Sequence, residues 1–383
     1  MDKRKDPPTS EGVLIKRQKP EENTPSNAVT IQTKGSSGAL IQTVMTRNEE
    51  AANHETSTKK EAHTDTQYTS VLRLKNGQNA VFAPHRQSAE LYTCKFSPSG
   101  EHIASAGGEK SIYLWNTYGD CINYGIIKGH TGSILELHWS RDGSMIFTAS
   151  TDKSCGVFDV QTGERIKRFK GHTSFVNSCS PARRGPELLA SGSDDGSVKI
   201  WDLRAKNAVE SFDSQYQITS VSFSDAGDLV FAGGIDNNIA AWDMRKKSVS
   251  YSLTGHMDTI SGLSLSPDGN QLLSNAMDNT VRIWDVKPFS ATGNRMLKVF
   301  EGAPHGIEKN LIRPAWSKDG AMIGVGAGDR TMVIWDTLTR KILYKLPGHK
   351  GCVNEVDFHP KEPIVVSCST DKTMFLGEIN PSK

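Results

Sequence analysis

Residues 170–204 read KGHTSFVNSCSPARRGPELLASGSDDGSVKIWDLR. Between the opening Gly171-His172 and the closing Trp201-Asp202 lie two runs that fit β-strands, 188–193 and 198–203. In the second, Val198, Ile200 and Leu203 sit among polar neighbours, the alternation of a half-buried strand. Ser-Asp-Asp-Gly at 193–196 supplies the turn between them, because Gly196 tolerates the positive φ that a tight reversal needs. The stretch is one strand-turn-strand unit bracketed by two dipeptide markers.

Those markers recur. Closing positions fall at Trp115-Asn116, Phe158-Asp159, Trp201-Asp202, Trp242-Asp243, Trp284-Asp285, Trp335-Asp336 and Gly377-Glu378, at steps of 43, 43, 41, 42, 51 and 42 residues. Six residues before each stands a turn acid: Glu109, Asp152, Asp195, Asp236, Asp278, Asp329 and Asp371. A four-stranded blade repeats every ~40–45 residues, so two independent markers agree on seven repeats, one of them lengthened. A Gly-His start and a Trp-Asp end at this period resemble the WD40 family. The resemblance implies an all-β, seven-bladed β-propeller, expected here over residues 77–380.

The repeats are unequal. Gln87 stands at the His register of the first, with His85 shifted by two; Phe158 replaces Trp in the second; Ser214 stands at the His register of the fourth. The sixth carries the extra length, over 287–313, with His305 displaced by two. Residues 79–83 read as a strand with no repeat of its own. The family resemblance implies that it completes blade 7, which would otherwise present an open edge.

Composition bounds the function. Lys plus Arg is 45 against 43 for Asp plus Glu, so no overall charge points to nucleic acid. No apolar run approaches ~20 residues and no signal-peptide pattern opens the chain, which reads as soluble, with no membrane partner. Cys94, Cys121, Cys155, Cys179, Cys352 and Cys368 form no metal-binding spacing and read as buried thiols of a reducing compartment. Residues 1–65 lack aromatics and read as a disordered tail. Lys3-Arg4 and the cluster Lys16, Arg17 and Lys19 within that tail resemble a bipartite nuclear-localisation signal, giving a nuclear location.

His172, Ser193, Asp195 and Trp201 match the structural tetrad of the WD40 family, in which Trp donates to Ser, Ser to His and His to Asp. A Ser-His-Asp set also invites a hydrolase reading, but no nucleophile elbow or oxyanion hole accompanies it. The expectation is no catalytic residue, no cofactor, no metal and no small-molecule substrate. On this register the third repeat holds all four members, whereas Ala276 stands at the Ser position of the fifth. Gly324, Gly326 and Gly328 form no Walker loop and read as packing glycines.

Fold alone does not choose among WD40 functions. Loop strings go further: WNTYGDCINYGIIKGHTG (115–132), TGERIKRFKGHTSFVNSCSPARRGPEL (162–188), EKNLIRPAWSKDG (308–320) and RKILYKLPGHKGCVNEVDFHP (340–360) resemble the WD-repeat subunits of U5 small nuclear ribonucleoproteins. That resemblance implies a non-enzymatic scaffold in pre-mRNA splicing, contacting the large U5 proteins and other spliceosomal proteins; it leaves RNA contact open without requiring it. Phe175, Arg183 and Arg184 are candidate partner contacts. Arg204 and Arg245 close Trp-Asp-x-Arg strings like those of cullin-RING ligase receptors, a competing reading beside a WD40 subunit of another nuclear complex.

Overall fold

The computed structural model describes residues 31–34, 40–43, 88–119, 121–289, 293 and 295–379. Ile31–Lys34 pairs antiparallel with Leu40–Thr43 as a small hairpin in the unit Met1–His63. The other expectations for residues 1–65, including the basic clusters, lie outside the described residues, as does the strand expected at 79–83.

From Leu91 onward the chain forms seven antiparallel sheets, six of four strands and a last of three. The third blade is representative: Val176–Pro181, Leu188–Ser193, Ser197–Asp202 and Glu210–Asp213 pair in that order from the axis outward. The second strand, LLASGS, is buried along nearly its whole length because sheets cover both its faces, which explains its run of apolar and small residues. Outermost strands are wet on one side and alternate; Arg165–Lys170 buries Phe169 and exposes Arg165 and Lys170.

No sheet has a core of its own. Each apolar cluster lies between two neighbours, as where Phe147, Val157 and Phe169 of blade 2 meet Val176, Leu189 and Trp201 of blade 3. The cluster joining Leu91, Phe96 and Trp115 to Ile364, Val366 and Leu376 closes the ring between blades 1 and 7. Blade 7, Val353–Phe358, Ile364–Ser369 and Met374–Glu378, has no fourth strand among the described residues.

The innermost strands are sheet edges facing the central channel, so alternate backbone groups there need partners. Side chains of the preceding blade provide them at two depths. At the upper level Asn177 Nδ2 donates to Ile218 O (2.9 Å), Ser261 Oγ to Ile312 O (3.0 Å) and Asn354 Nδ2 to Leu91 O (2.6 Å). One residue deeper the direction reverses. Thr93 Oγ1 accepts from Leu137 N (3.2 Å), Glu136 Oε2 from Cys179 N (3.0 Å), Ser178 Oγ from Val221 N (3.0 Å), Ser220 Oγ from Leu263 N (2.9 Å) and Glu355 Oε2 from Cys94 N (2.9 Å). Between blades 5 and 6 this deeper link is replaced by Gly262, which has no side-chain acceptor, facing Pro314, which has no N–H; a Cβ on Gly262 would lie 2.5 Å from Pro314 Cδ.

Arg313 of blade 6 crosses the channel at that depth. Its Nε lies 2.9 Å from Glu136 Oε1 of blade 2 and its Nη2 donates to Asn177 O of blade 3 (2.5 Å). Burial opposes the Glu136 carboxylate, yet Arg313 and His138 hold its pKa well below the usual range.

Candidate protein-interaction faces and the buried tetrads

The loop before each innermost strand and the turn after each second strand share one end of the ring. Asp195 Oδ2 accepts from Thr173 N (2.9 Å) and from His172 Nδ1 (2.9 Å), tying the blade 3 loop to its turn. His172 Nε2 then accepts from Ser191 Oγ (2.7 Å), which in turn accepts from Trp201 Nε1 (2.8 Å). The hydroxyl in the network is thus Ser191, and the assignment of Ser193 is corrected. Both serines lie on one face of the strand, two residues apart, about 6.6 Å along it. With Nδ1 held by Asp195 at the turn, Nε2 faces into the blade and meets the deeper hydroxyl, Ser191. Ser193 Oγ instead accepts from Asp195 N (3.2 Å) and caps the turn.

The corrected register changes the other blades. Blade 5 also holds four members: His256 bridges Asp278 (2.9 Å) and Ser274 (2.7 Å), and Trp284 Nε1 donates to Ser274 Oγ (2.8 Å). In blade 7 His349 contacts Asp371 (3.2 Å) and Ser367 (2.9 Å), and Phe375 stacks on its ring at 4.0 Å where no Trp is available. Blade 2 uses Thr148 and Phe158. In blade 1 Glu109 takes over, accepting from Ser88 Oγ (2.6 Å) and Ala89 N (3.2 Å). The sixth blade has no such set among the described residues: Trp335 Nε1 donates to Glu301 O (3.1 Å), and the buried His305 ring nitrogens have no hydrogen-bond partner.

Burial works against the Asp195 carboxylate, but hydrogen bonds from Ser197 Oγ and the backbone of Thr173 and Ser197 keep its pKa well below the normal range. Burial lowers the pKa of His172 despite the nearby Asp195. The imidazole is neutral near pH 7, and every polar member is already paired inside the wall between blades. Such a network fixes loops and leaves no substrate access.

An apolar arc lies on this upper face, and the networks of blades 3 and 5 tie down the loops that carry two of its members, Phe175 and Met257. Phe175 is 48% exposed, Tyr216 53%, Ile235 45%, Met257 81% and Ile307 100%, on consecutive blades 3 to 6. Sequence reasoning found Phe175 and missed the rest, because Tyr216, Met257 and Ile307 look ordinary until the fold aligns their loops.

The opposite, lower face carries the arginine pair. Arg183 lies across the channel mouth, Nη1 donating to Ser266 O and Nη2 to Leu265 O of blade 5, each at 2.6 Å. Arg184 stays exposed and pairs with Asp225 (2.8 Å). Arg204 turns back onto Asp202 (2.8 Å), and the exposed Arg245 donates its backbone N to Asp243 (2.9 Å). Gly324 and Gly326 pack against Phe358 and Val353 of blade 7, and Gly328 against His305. All six cysteines are buried. Among the described residues no group of three His, Cys, Asp or Glu side chains could hold a metal ion.

The WD domain, G-beta repeat family matches residues 77–116, 121–159, 163–202, 207–243, 247–285 and 340–376. The unmatched interval contains the lengthened loop and most of blade 6. The U5 small nuclear ribonucleoprotein 40 kDa protein of Dictyostelium discoideum is 56% identical over 293 residues, 76% of this chain and 82% of that protein. Its Homo sapiens namesake is 57% identical over 290 residues, 76% and 81% of the two chains. Pre-mRNA-splicing factor cwf17 of Schizosaccharomyces pombe is 45% identical over 314 residues, 82% and 90%. The chain is a WD40 scaffold and not an enzyme. With seven repeats in register, a closed ring and these relatives, it belongs to the WD40 family, as a homologue of the U5 small nuclear ribonucleoprotein 40 kDa proteins.

Proposed function

We propose that this protein is a docking ring of the U5 small nuclear ribonucleoprotein, working in the nucleus in pre-mRNA splicing and holding a large protein subunit on its upper face. The observation that carries the docking site is the arc of exposed apolar side chains Phe175, Tyr216, Ile235, Met257 and Ile307, of which Phe175 and Met257 sit on loops tied down by the buried networks of blades 3 and 5. Apolar side chains on preordered loops lose little entropy when covered, and buried aromatics dominate interface energetics. The assignment to U5 rests on the relatives' names and their identity to this chain. Arg184, Arg204 and Arg245 are exposed on the other face and are candidate secondary contacts.

The test is affinity purification of the tagged full chain with mass spectrometry and RNA detection. Splicing proteins and U5 RNA should co-purify, and Phe175→Ala combined with Met257→Ala and Ile307→Asp should lower their recovery at an unchanged melting temperature. Recovery of a ligase adaptor and cullin, with neither U5 RNA nor splicing proteins, would favour the Trp-Asp-x-Arg reading. For the nuclear signal, residues 1–30 fused to a reporter should enter the nucleus, and Ala at Lys3, Arg4, Lys16, Arg17 and Lys19 should slow entry.

A further inference from the structure

The lower mouth of the channel is a blind funnel with a cavity of about 540 Å³. Its floor is the Arg313–Glu136 crossing, which closes the channel one pleat deeper. Above the floor every blade supplies a residue at the same level: Lys95, His138, Ser180, Ser222, Ser264, Ala315 and Asp357 line the wall in ring order. This volume lies within the ~300–1,000 Å³ of ordinary ligand sites and is far too small for a folded domain.

The charge of the lining is one-sided. Lys95, Arg141, Arg183 and Lys318 face Asp357. Lys95 is neutralised from within, by Glu355 at 2.9 Å and Asp357 at 3.7 Å. The other three cations have no carboxylate within ion-pair distance among the described residues. Arg183 spends its fork on two neutral carbonyls, and Arg141 donates to a third, Arg183 O (2.9 Å). The acids of the rim are committed to their own turns. Asp142 accepts from Ser140 and Ser144, Asp268 from Ser266 and Asn270, and Asp319 from Ser317 (2.6 Å); Asp225 holds Arg184.

Two indoles complete the wall, each pinned by a hydrogen bond from its Nε1: Trp139 to Lys95 O (3.1 Å) and Trp316 to Ser264 O (3.0 Å). Rigid apolar faces beside unpaired guanidinium and ammonium groups form a mixed site for a chain carrying both carboxylates and an apolar side chain. We propose that this funnel receives an acidic protein segment, entering as a terminus or loop tip. Its carboxylates meet Arg141, Arg183 and Lys318, and an apolar side chain lies against Trp139 or Trp316. A blind pocket suits an end or a tip. A nucleic-acid backbone instead needs a groove along which successive phosphates can track. This site is separate from the upper-face arc and stands or falls without it.

The experiment selects from a displayed library of random 12-residue peptides on the full chain, then measures the winning peptide by fluorescence anisotropy. The selected peptides should be rich in Asp and Glu. Arg141→Glu with Lys318→Glu should weaken binding by about tenfold or more, and raising salt should weaken it further. Unchanged circular dichroism and melting temperature of the double variant would show that the ring is intact. A Ser264→Tyr variant, which fills the funnel without altering charge, should also lose binding. Neutral or basic selected peptides, no selected peptide at all, or binding indifferent to these variants would overturn the proposal. A 12-nucleotide single-stranded RNA that displaces the peptide and binds more tightly would overturn it too.

Discussion

Replacing Ser191 by Ala separates two serines that the sequence presents as near equivalents. Ser191 Oγ receives the Trp201 indole and donates to His172 Nε2, and all three side chains are buried. The substitution leaves an indole N–H and an imidazole nitrogen without partners, each costing ~1–3 kcal/mol, so a loss of about 2–4 kcal/mol is expected after partial relaxation. Ser193→Ala removes one acceptor at 3.2 Å from a turn N–H and should cost about 0.5–1 kcal/mol. Urea unfolding at equilibrium, followed by tryptophan fluorescence and circular dichroism, reads the difference. In a double-mutant cycle Ser191→Ala and Trp201→Phe should be non-additive, because they remove the same bond. If the two serine variants unfold within 0.5 kcal/mol of each other, or the cycle shows no coupling, the network is not what holds this blade.

Three further outcomes follow from the ring. A chain starting at Arg86 should melt several degrees below one starting at Thr66 if residues 79–83 close blade 7; equal melting temperatures would refute that closure. Arg313→Met should destabilise by about 3–5 kcal/mol by leaving Glu136 buried without its partner, and Arg313→Met with Glu136→Gln should recover part of the loss. Burial lowers the pKa of His305 to about 4 and also lowers those of His172 and His256. The unfolded chain then takes up protons first, so stability should fall as pH drops from ~6.5 towards 4, by up to about 3 kcal/mol for His305 alone. His305→Asn should flatten that slope, and an unaltered slope in urea titrations would remove His305 from the account.

The seven-fold period was legible because Trp-Asp, Gly-His and the turn acid each sit where one residue type is demanded. The tetrad hydroxyl was not. Ser191 and Ser193 share a face and a residue type, and the way the His172 ring is turned, with Nδ1 on Asp195 and Nε2 facing inward, decides between them. The anchoring of Arg183 was hidden for a related reason. Arg183 looks like an exposed loop residue until its side chain is seen to end on blade 5, 83 positions along the chain. Glu136 and Glu355 did leave a signal, a charge on an innermost strand, and Arg313 stands just before one. Its meaning depended on three blades meeting at one axis.

The pairing of Gly262 with Pro314 also constrains the order in which substitutions can occur. Giving position 314 an ordinary residue creates a backbone donor that Gly262 cannot satisfy. Giving position 262 a serine supplies the acceptor, but its Cβ arrives 2.5 Å from the proline ring and 2.8 Å from Ile312 O. Each single step is worse than the starting point, and the double change supplies donor and acceptor as between blades 4 and 5 only once the backbone at Ile312 and Arg313 has moved away from the new Cβ. The two positions therefore act as one inherited character: a lineage carrying the pair is held to it by the cost of either intermediate, whatever the merits of the alternative.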